Sequence, residues 1–343
     1  MNEKKRWRPL FHSSWQSQEQ AHPYWGPELL ARVVKKTSSV ILGHDEEISL
    51  ILIAMLAGGH VLLEDVPGVG KTKLVRTLSS VLGCDFGRIQ FTSDLMPGDI
   101  TGTMMYHPQR GEFQFKRGPV LSAHLILADE INRASSRAQS ALLELMEEGT
   151  VSVDGETYPL QSPFFLLATQ NPMQFEGTNR LPEAQLDRFM MKLGLGYPHM
   201  EDELLLLQRA HGEGAQRLPG PLLAPSELLT MQRAASRVYV DDSIQKYLVQ
   251  IAASSRTDKG IRLGISPRAV LAWMRASQGS AFMDGRMYVI PDDCLRVAVP
   301  VLAHRLQPAS GVLASGWSAA DTVKQLLSRF ELPRQRAAKG GRG

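Results

Sequence analysis

The chain has 343 residues, 43% of them hydrophobic and 21% charged, which is enough for two packed domains and excludes a disordered or fibrous chain. Its net charge of +3 is uneven, with +3 on residues 1–8 and +4 after Pro333; the body is therefore slightly acidic, and nucleic acid is not an expected partner. Cys84 and Cys294 lack metal-ligand or Cys-x-x-Cys spacing, no run reaches the roughly 18 apolar residues of a membrane span, and the N-terminus lacks a signal core, so a cytoplasmic chain without a membrane span is expected.

Residues 1–27 form an aromatic and basic arm holding Trp7, Trp15 and Trp25. Helical patterns then run from Pro27 to Leu42 and from Glu46 to Ala57, before the apolar run Val61-Leu62-Leu63. Further short apolar runs, at residues 88–91, 125–128 and 164–168, alternate with helical stretches and predict buried parallel strands in a three-layer α/β core over residues 28–198. Two hairpins interrupt it, one around Pro108–Gly111 and one around Asp154-Gly155. Residues 199–225 are read as a linker, rich in Gly and Pro from residue 212 onward. A small all-helical lid follows over 226–333, with helices expected from Ser226, Asp242, Pro267 and Pro291, and then a basic tail over 334–343.

The chemistry begins after the first core strand. Asp65-Val66-Pro67-Gly68-Val69-Gly70-Lys71-Thr72 reads as a phosphate-binding loop in which Asp65 stands where the full motif has its first glycine. Backbone N–H groups and a helix N-terminus would hold a phosphate, Lys71 would reach the outer phosphates and Thr72 would hold Mg²⁺. Leu125–Ala128 is an apolar strand ending in Asp129 and Glu130. Asp129 suits the Mg²⁺ of a bound ATP, and Glu130 suits the base that deprotonates water. Asn171, at the end of the next strand, can fix that water or simply satisfy a turn. Arg188 is a further candidate, with an ion pair to Asp187 or Glu183 as the alternative.

These residues resemble the MoxR family of AAA+ ATPases over about residues 30–320. The resemblance is carried by the phosphate loop, Asp94–Gly102, Ala128–Ala134, Ala168–Pro172, Leu181–Phe189 and Ser266–Ala269. It implies that Asn171 is like sensor 1, Arg188 like the arginine finger reaching a neighbouring subunit's nucleotide, and Arg268 like sensor 2. Ser266 and Pro267 independently place Arg268 at a helix start. Arg180 competes for the finger role, because Asn179-Arg180 replaces the family's aromatic and proline, and Arg133 is a second competitor.

The resemblance implies a Mg²⁺-dependent ATPase working as a homo-oligomer, a hexameric ring, that remodels or matures protein complexes alongside a von Willebrand factor A domain partner. An ATP-dependent binding switch with negligible hydrolysis and a Mg-chelatase-like metal-insertion motor are the alternatives.

Overall fold

The computed structural model describes residues 25–66, 68–171, 181–211, 218–314 and 316–333. Trp7, Trp15, Pro67, Arg180 and the basic tail lie outside the described residues. The described residues divide into two compact units, one within residues 29–230 and one formed by residues 25–28 and 231–333.

The first unit opens with α1 (Trp25–Ser38), which straddles the boundary, and α2 (Asp45–Leu56). Every residue of α2 from Ile48 to Leu56 is buried, so this helix carries no polar stripe. β1 (Val61–Glu64) and α3 (Lys71–Val81) flank the Gly-rich loop. β2 (Phe86–Gln90), α4 (Pro97–Thr101), the hairpin β3 (Gly102–His107) with β4 (Glu112–Arg117), β5 (Leu125–Asp129) and α5 (Ser136–Glu148) follow. Then come the hairpin β6 (Thr150–Val153) with β7 (Glu156–Pro159), β8 (Phe165–Gln170), α6 (Glu183–Leu186), β9 (Met191–Leu193) and α7 (Met200–His211).

β2, β5, β8, β1 and β9 form one parallel sheet in that order. Successive strand residues point to opposite faces. Leu62, Ile126, Ala128, Leu166 and Ala168 therefore share a face, and they are buried in a cluster with Ala138, Leu142 and Leu143 of α5. Leu63, Leu125, Leu127 and Leu167, on the alternate positions, are also buried. Both faces are covered, the condition under which parallel strands read as continuous apolar runs. Ser135 caps α5 by accepting from the Ala138 N–H, and Gly149 ends it at φ 65.

Two elements depart from expectation. β9 has only three residues and no period to read. α7 occupies the first half of the segment expected as linker, because its run Leu204–Leu207 hides helical periodicity behind four consecutive leucines.

The second unit contains α8 (Pro225–Ala235), which crosses the boundary, then α9 (Asp242–Thr257), β10 (Ile261–Leu263), α10 (Pro267–Met283), α11 (Pro291–Leu302), β11 (Gln307–Pro308), α12 (Ser310–Ala314) and α13 (Ala319–Ser328). Trp273 is fully buried and its indole N–H donates to the Cys294 carbonyl at 2.8 Å, joining α10 to α11. β10 and β11 form a small antiparallel ribbon that the all-helical expectation did not include. Both cysteines are free and buried, and burial pushes each thiol up to about 12. No helix among the described residues is long and apolar enough to cross a membrane.

Candidate nucleotide site

The carboxyl ends of β1, β5 and β8 lie side by side in the sheet, and each feeds a polar segment into one crevice. Open α/β sheets bind ligands at such ends. A cavity of about 410 Å³ is lined there by Gly68, Gly70, Lys71, Thr72, Lys73, Asp129, Glu130, Thr169 and Asn171. The sequence-predicted loop, acid pair and polar strand end therefore converge.

The loop geometry explains its glycines. Gly68 and Gly70 take φ of 92° and 90°, conformations that L side chains rarely adopt, and a Cβ on either would project into open space. Their backbone thus presents an unobstructed cradle at the start of α3, whose N-cap is Gly70. Lys71 donates through Nζ to the Asp65 carbonyl at 2.8 Å, curling back over the loop. Burial lowers the Lys71 ammonium from its ordinary value, while the charges of Asp65, Asp129 and Glu130 oppose that shift.

Asp65 does more than replace a glycine. Its Oδ1 accepts from the Val66 N–H at 2.8 Å, while Oδ2 accepts from the N–H groups of Leu195 at 2.6 Å and Gly196 at 2.7 Å. The carboxylate ties the loop to the backbone just after β9. The sequence reading placed Asp65 in the phosphate loop, and its carboxylate oxygens fix that loop in place.

The acid pair is held by a residue that the sequence reading passed over. The Thr169 hydroxyl donates to Asp129 Oδ1 at 2.6 Å and accepts from the Glu130 N–H at 2.9 Å. Ala128 pairs with Ala168 in the parallel register, which puts Thr169 beside Asp129. Glu130 itself sits at φ 58, ψ 47, a left-handed conformation that is uncommon for a residue with a side chain and concentrates at functional sites. Its Oε2 accepts from Gln90 Nε2 at 3.1 Å and from an Arg133 guanidinium nitrogen at 2.9 Å. Asn171 is buried, and its carbonyl accepts from Asn132 Nδ2 at 3.3 Å.

A second, more apolar cavity of about 650 Å³ shares Gly68, Gly70 and Lys73 with the first. Val40, Ile41, His44, Tyr197 and Leu206 are among its walls. No motif marked these residues, since they come from two stretches more than 150 positions apart.

Residues 60–191 match the family model described as ATPase family associated with various cellular activities (AAA), and residues 253–326 match the AAA lid domain. The chain is 40% identical over 317 residues to Chaperone MoxR1 of Mycobacterium tuberculosis, covering 90% of this chain and 83% of that protein. It belongs to the MoxR family of AAA+ ATPases. Another relative is the uncharacterised protein YeaC of Bacillus subtilis, 45% identical over 94% of this chain and 98% of its own length. Protein MoxR of Methylorubrum extorquens is 31% identical over 80% and 87% of the two chains. The crystal structure of a presumed ATPase from Cytophaga hutchinsonii superposes with a TM-score of 0.85 at 35% identity, covering 94% of this chain and all of that one.

Set against this MoxR frame, the three candidate arginines of the described residues separate. Arg133 pairs with the Glu130 of its own chain. Arg188 is half-buried and pairs with Glu147 of α5 at 3.1 Å, a partner that neither sequence alternative named. Arg268 lies in the helical unit, exposed in the first turn of α10, where Ser266 Oγ accepts from the Ala269 N–H at 3.1 Å as the helix cap.

Proposed function

We propose that this MoxR-family protein is a Mg²⁺-dependent ATPase that works as a homo-oligomer, a hexameric ring, in the cytoplasm. The observation that carries the reading is the Thr169 hydroxyl holding Asp129 and Glu130 together at the rim of a cavity whose other wall is Gly68, Gly70, Lys71 and Thr72. The donor set suits the metal. A threonine hydroxyl and one carboxylate are the hard oxygen ligands Mg²⁺ takes from protein when phosphates complete its shell. When bound, the ion would neutralise charge on the β and γ phosphates. The second cavity suits the base and ribose of the nucleotide, with Val66 and Val69 completing the loop.

In this reading Lys71 leaves the Asp65 carbonyl for the outer phosphates, and the backbone N–H groups of residues 68–72 take the remaining phosphate oxygens. Thr72 and Asp129 hold the ion, and Asn171 orients the attacking water. Glu130 takes the water's proton, which requires its carboxylate to turn from Gln90 and Arg133 toward the cavity. Arg188 serves the neighbouring subunit's nucleotide and Arg268 acts as sensor 2. The energy of turnover is used to remodel or mature partner protein complexes, in company with a von Willebrand factor A domain protein. The name Chaperone MoxR1 of a 40% identical relative supports the remodelling role.

The grip of Gln90 and Arg133 on Glu130 favours a second reading, a nucleotide-dependent binding switch that hydrolyses slowly until a partner releases the base. Turnover per subunit measured across a wide range of protein concentration, with Glu130→Gln as blank, separates the two. The first reading expects activity that climbs and saturates as subunits associate, at least 100-fold above the blank. Activity that stays at the blank while ATP still binds supports the switch; substantial turnover by Glu130→Gln removes Glu130 as the base.

A further inference from the structure

The proposed mechanism gives no task to Arg88, yet this side chain lies on the acid pair. β2 is an edge strand, and its parallel register sets Gln90 opposite Asp129. Arg88 and Gln90 are two residues apart and so share a face of that strand. One guanidinium nitrogen of Arg88 donates to Asp129 Oδ2 at 2.7 Å and to Gln90 Oε1 at 2.7 Å. A guanidinium only donates and a carboxylate only accepts, so the Gln90 amide has a single orientation that serves both, with its oxygen toward Arg88 and its nitrogen toward Glu130. The pair is partly open, with the Arg88 side chain 43% exposed and that of Asp129 15% exposed.

The consequence concerns which oxygen of Asp129 can take a cation. Oδ1 accepts the Thr169 hydroxyl, which is itself anchored on the Glu130 N–H. Oδ2 is therefore the oxygen with freedom to turn toward an ion, and it is the one on which Arg88 rests. A divalent ion bound there would face a fixed positive charge a few ångströms away, in a crevice less polarisable than water, where like charges repel strongly. Arg88 has an exposed path to leave, and Gln90 offers it a second acceptor nearby.

We propose that Arg88 is a built-in counter-cation of Asp129 that competes with the divalent ion of the nucleotide complex, so that metal entry displaces the guanidinium from Oδ2 onto Gln90 and solvent. This rests on the assignment of the crevice as a Mg-nucleotide site. Arg88 is thus a positioning residue, which sets the cation concentration at which the site fills. The opposite role is equally definite: an arginine that merely steadies a metal-binding carboxylate would strengthen cation binding, and its loss would weaken it about 10- to 100-fold.

The test is Mn²⁺ binding to the ADP-loaded full chain, read from the electron paramagnetic resonance signal of free Mn²⁺. Wild type, Arg88→Ala and Arg88→Lys would be compared, with melting temperature as the check on folding and Arg88→Gln as a replacement should the alanine variant fail to fold. Competition predicts that Arg88→Ala binds Mn²⁺ roughly tenfold more tightly, that Arg88→Lys stays near wild type because it keeps the charge, and that ADP affinity in EDTA changes far less. Unchanged or weaker Mn²⁺ binding by Arg88→Ala, with ADP binding intact, overturns the counter-cation role and leaves the nucleotide site standing. Failure of wild type to bind ADP or Mn²⁺ at all overturns the nucleotide site and the competition together.

Discussion

The two units of this protein hold paired charge in opposite ways. In the helical unit Asp293 is 2% exposed and fully enclosed by donors: Ser280 Oγ at 3.0 Å, two nitrogens of Arg286 at 2.6 and 2.7 Å, and the Ile290 N–H at 2.8 Å. In the α/β unit Asp129 and Glu130 are held on one side only, by Thr169, Arg88, Gln90 and Arg133, and open on the other into a cavity. A closed cluster of charges has no capacity left for a ligand and serves the fold. A cluster with one open side, whose contacts can be exchanged, is equipped to bind.

The largest effect that could break this contrast is at Arg188. The trans role proposed for Arg188, which pairs with Glu147 of its own chain, predicts that Arg188→Ala keeps ATP binding and loses turnover about 10³- to 10⁵-fold, the range an arginine finger contributes. Retained turnover would move the trans role to Arg180 or Arg133, the latter after release from Glu130 of its own chain.

The closed cluster makes the converse prediction. Arg286→Met should leave nucleotide affinity unchanged while destabilising the helical unit by about 3 kcal/mol in a denaturant titration, since Asp293 would remain buried with its main counter-charge gone. A stable variant would show that the cluster is not structural.

His60 sharpens the comparison inside the α/β unit, because it is buried, neutral and closed although it lies one residue before β1. Its Nδ1 accepts from the Leu166 N–H at 3.1 Å, and its Nε2 faces the Met146 carbonyl at 3.3 Å. Burial lowers its pKa from 6.5 to about 4, with the Met146 hydrogen bond opposing. The unfolded chain then takes up the proton first as pH falls. Stability from this group is complete above about pH 6.5 and declines toward pH 4, by on the order of 3 kcal/mol. Melting curves over that window should be flatter with pH in His60→Gln than in wild type; equal slopes would assign the dependence elsewhere. The smallest effect is expected at Ser266, where Ser266→Ala removes the α10 cap and costs the helical unit about 1 kcal/mol by thermal melt.

Several features were legible in the chain because their signals are local. Gly68 and Gly70 announce a loop with positive φ, Leu125–Ala128 announces a buried strand, and Asp129 and Glu130 follow it directly. Asp154-Gly155 marked its hairpin for the same reason, as both residues take positive φ in a two-residue turn. β9, with three residues, and α7, with its unbroken leucines, carry no such period and went unread.

Sequence by itself therefore determined the family, the α/β core with its helical lid, and the loop and acid pair at the centre of the candidate site, since each depends on residues adjacent in the chain. Tertiary structure alone decided the rest. Strand register placed Thr169 on Asp129 and Arg88 and Gln90 beside the acids, each about 40 residues away in the chain. Sheet order carried Asp65 to the backbone at Leu195 and Gly196, about 130 residues on, and converted a substituted glycine into an anchor. Such partners are chosen by the alignment of neighbouring strands, whose hydrogen bonds are indifferent to sequence separation, so no local pattern could have named them.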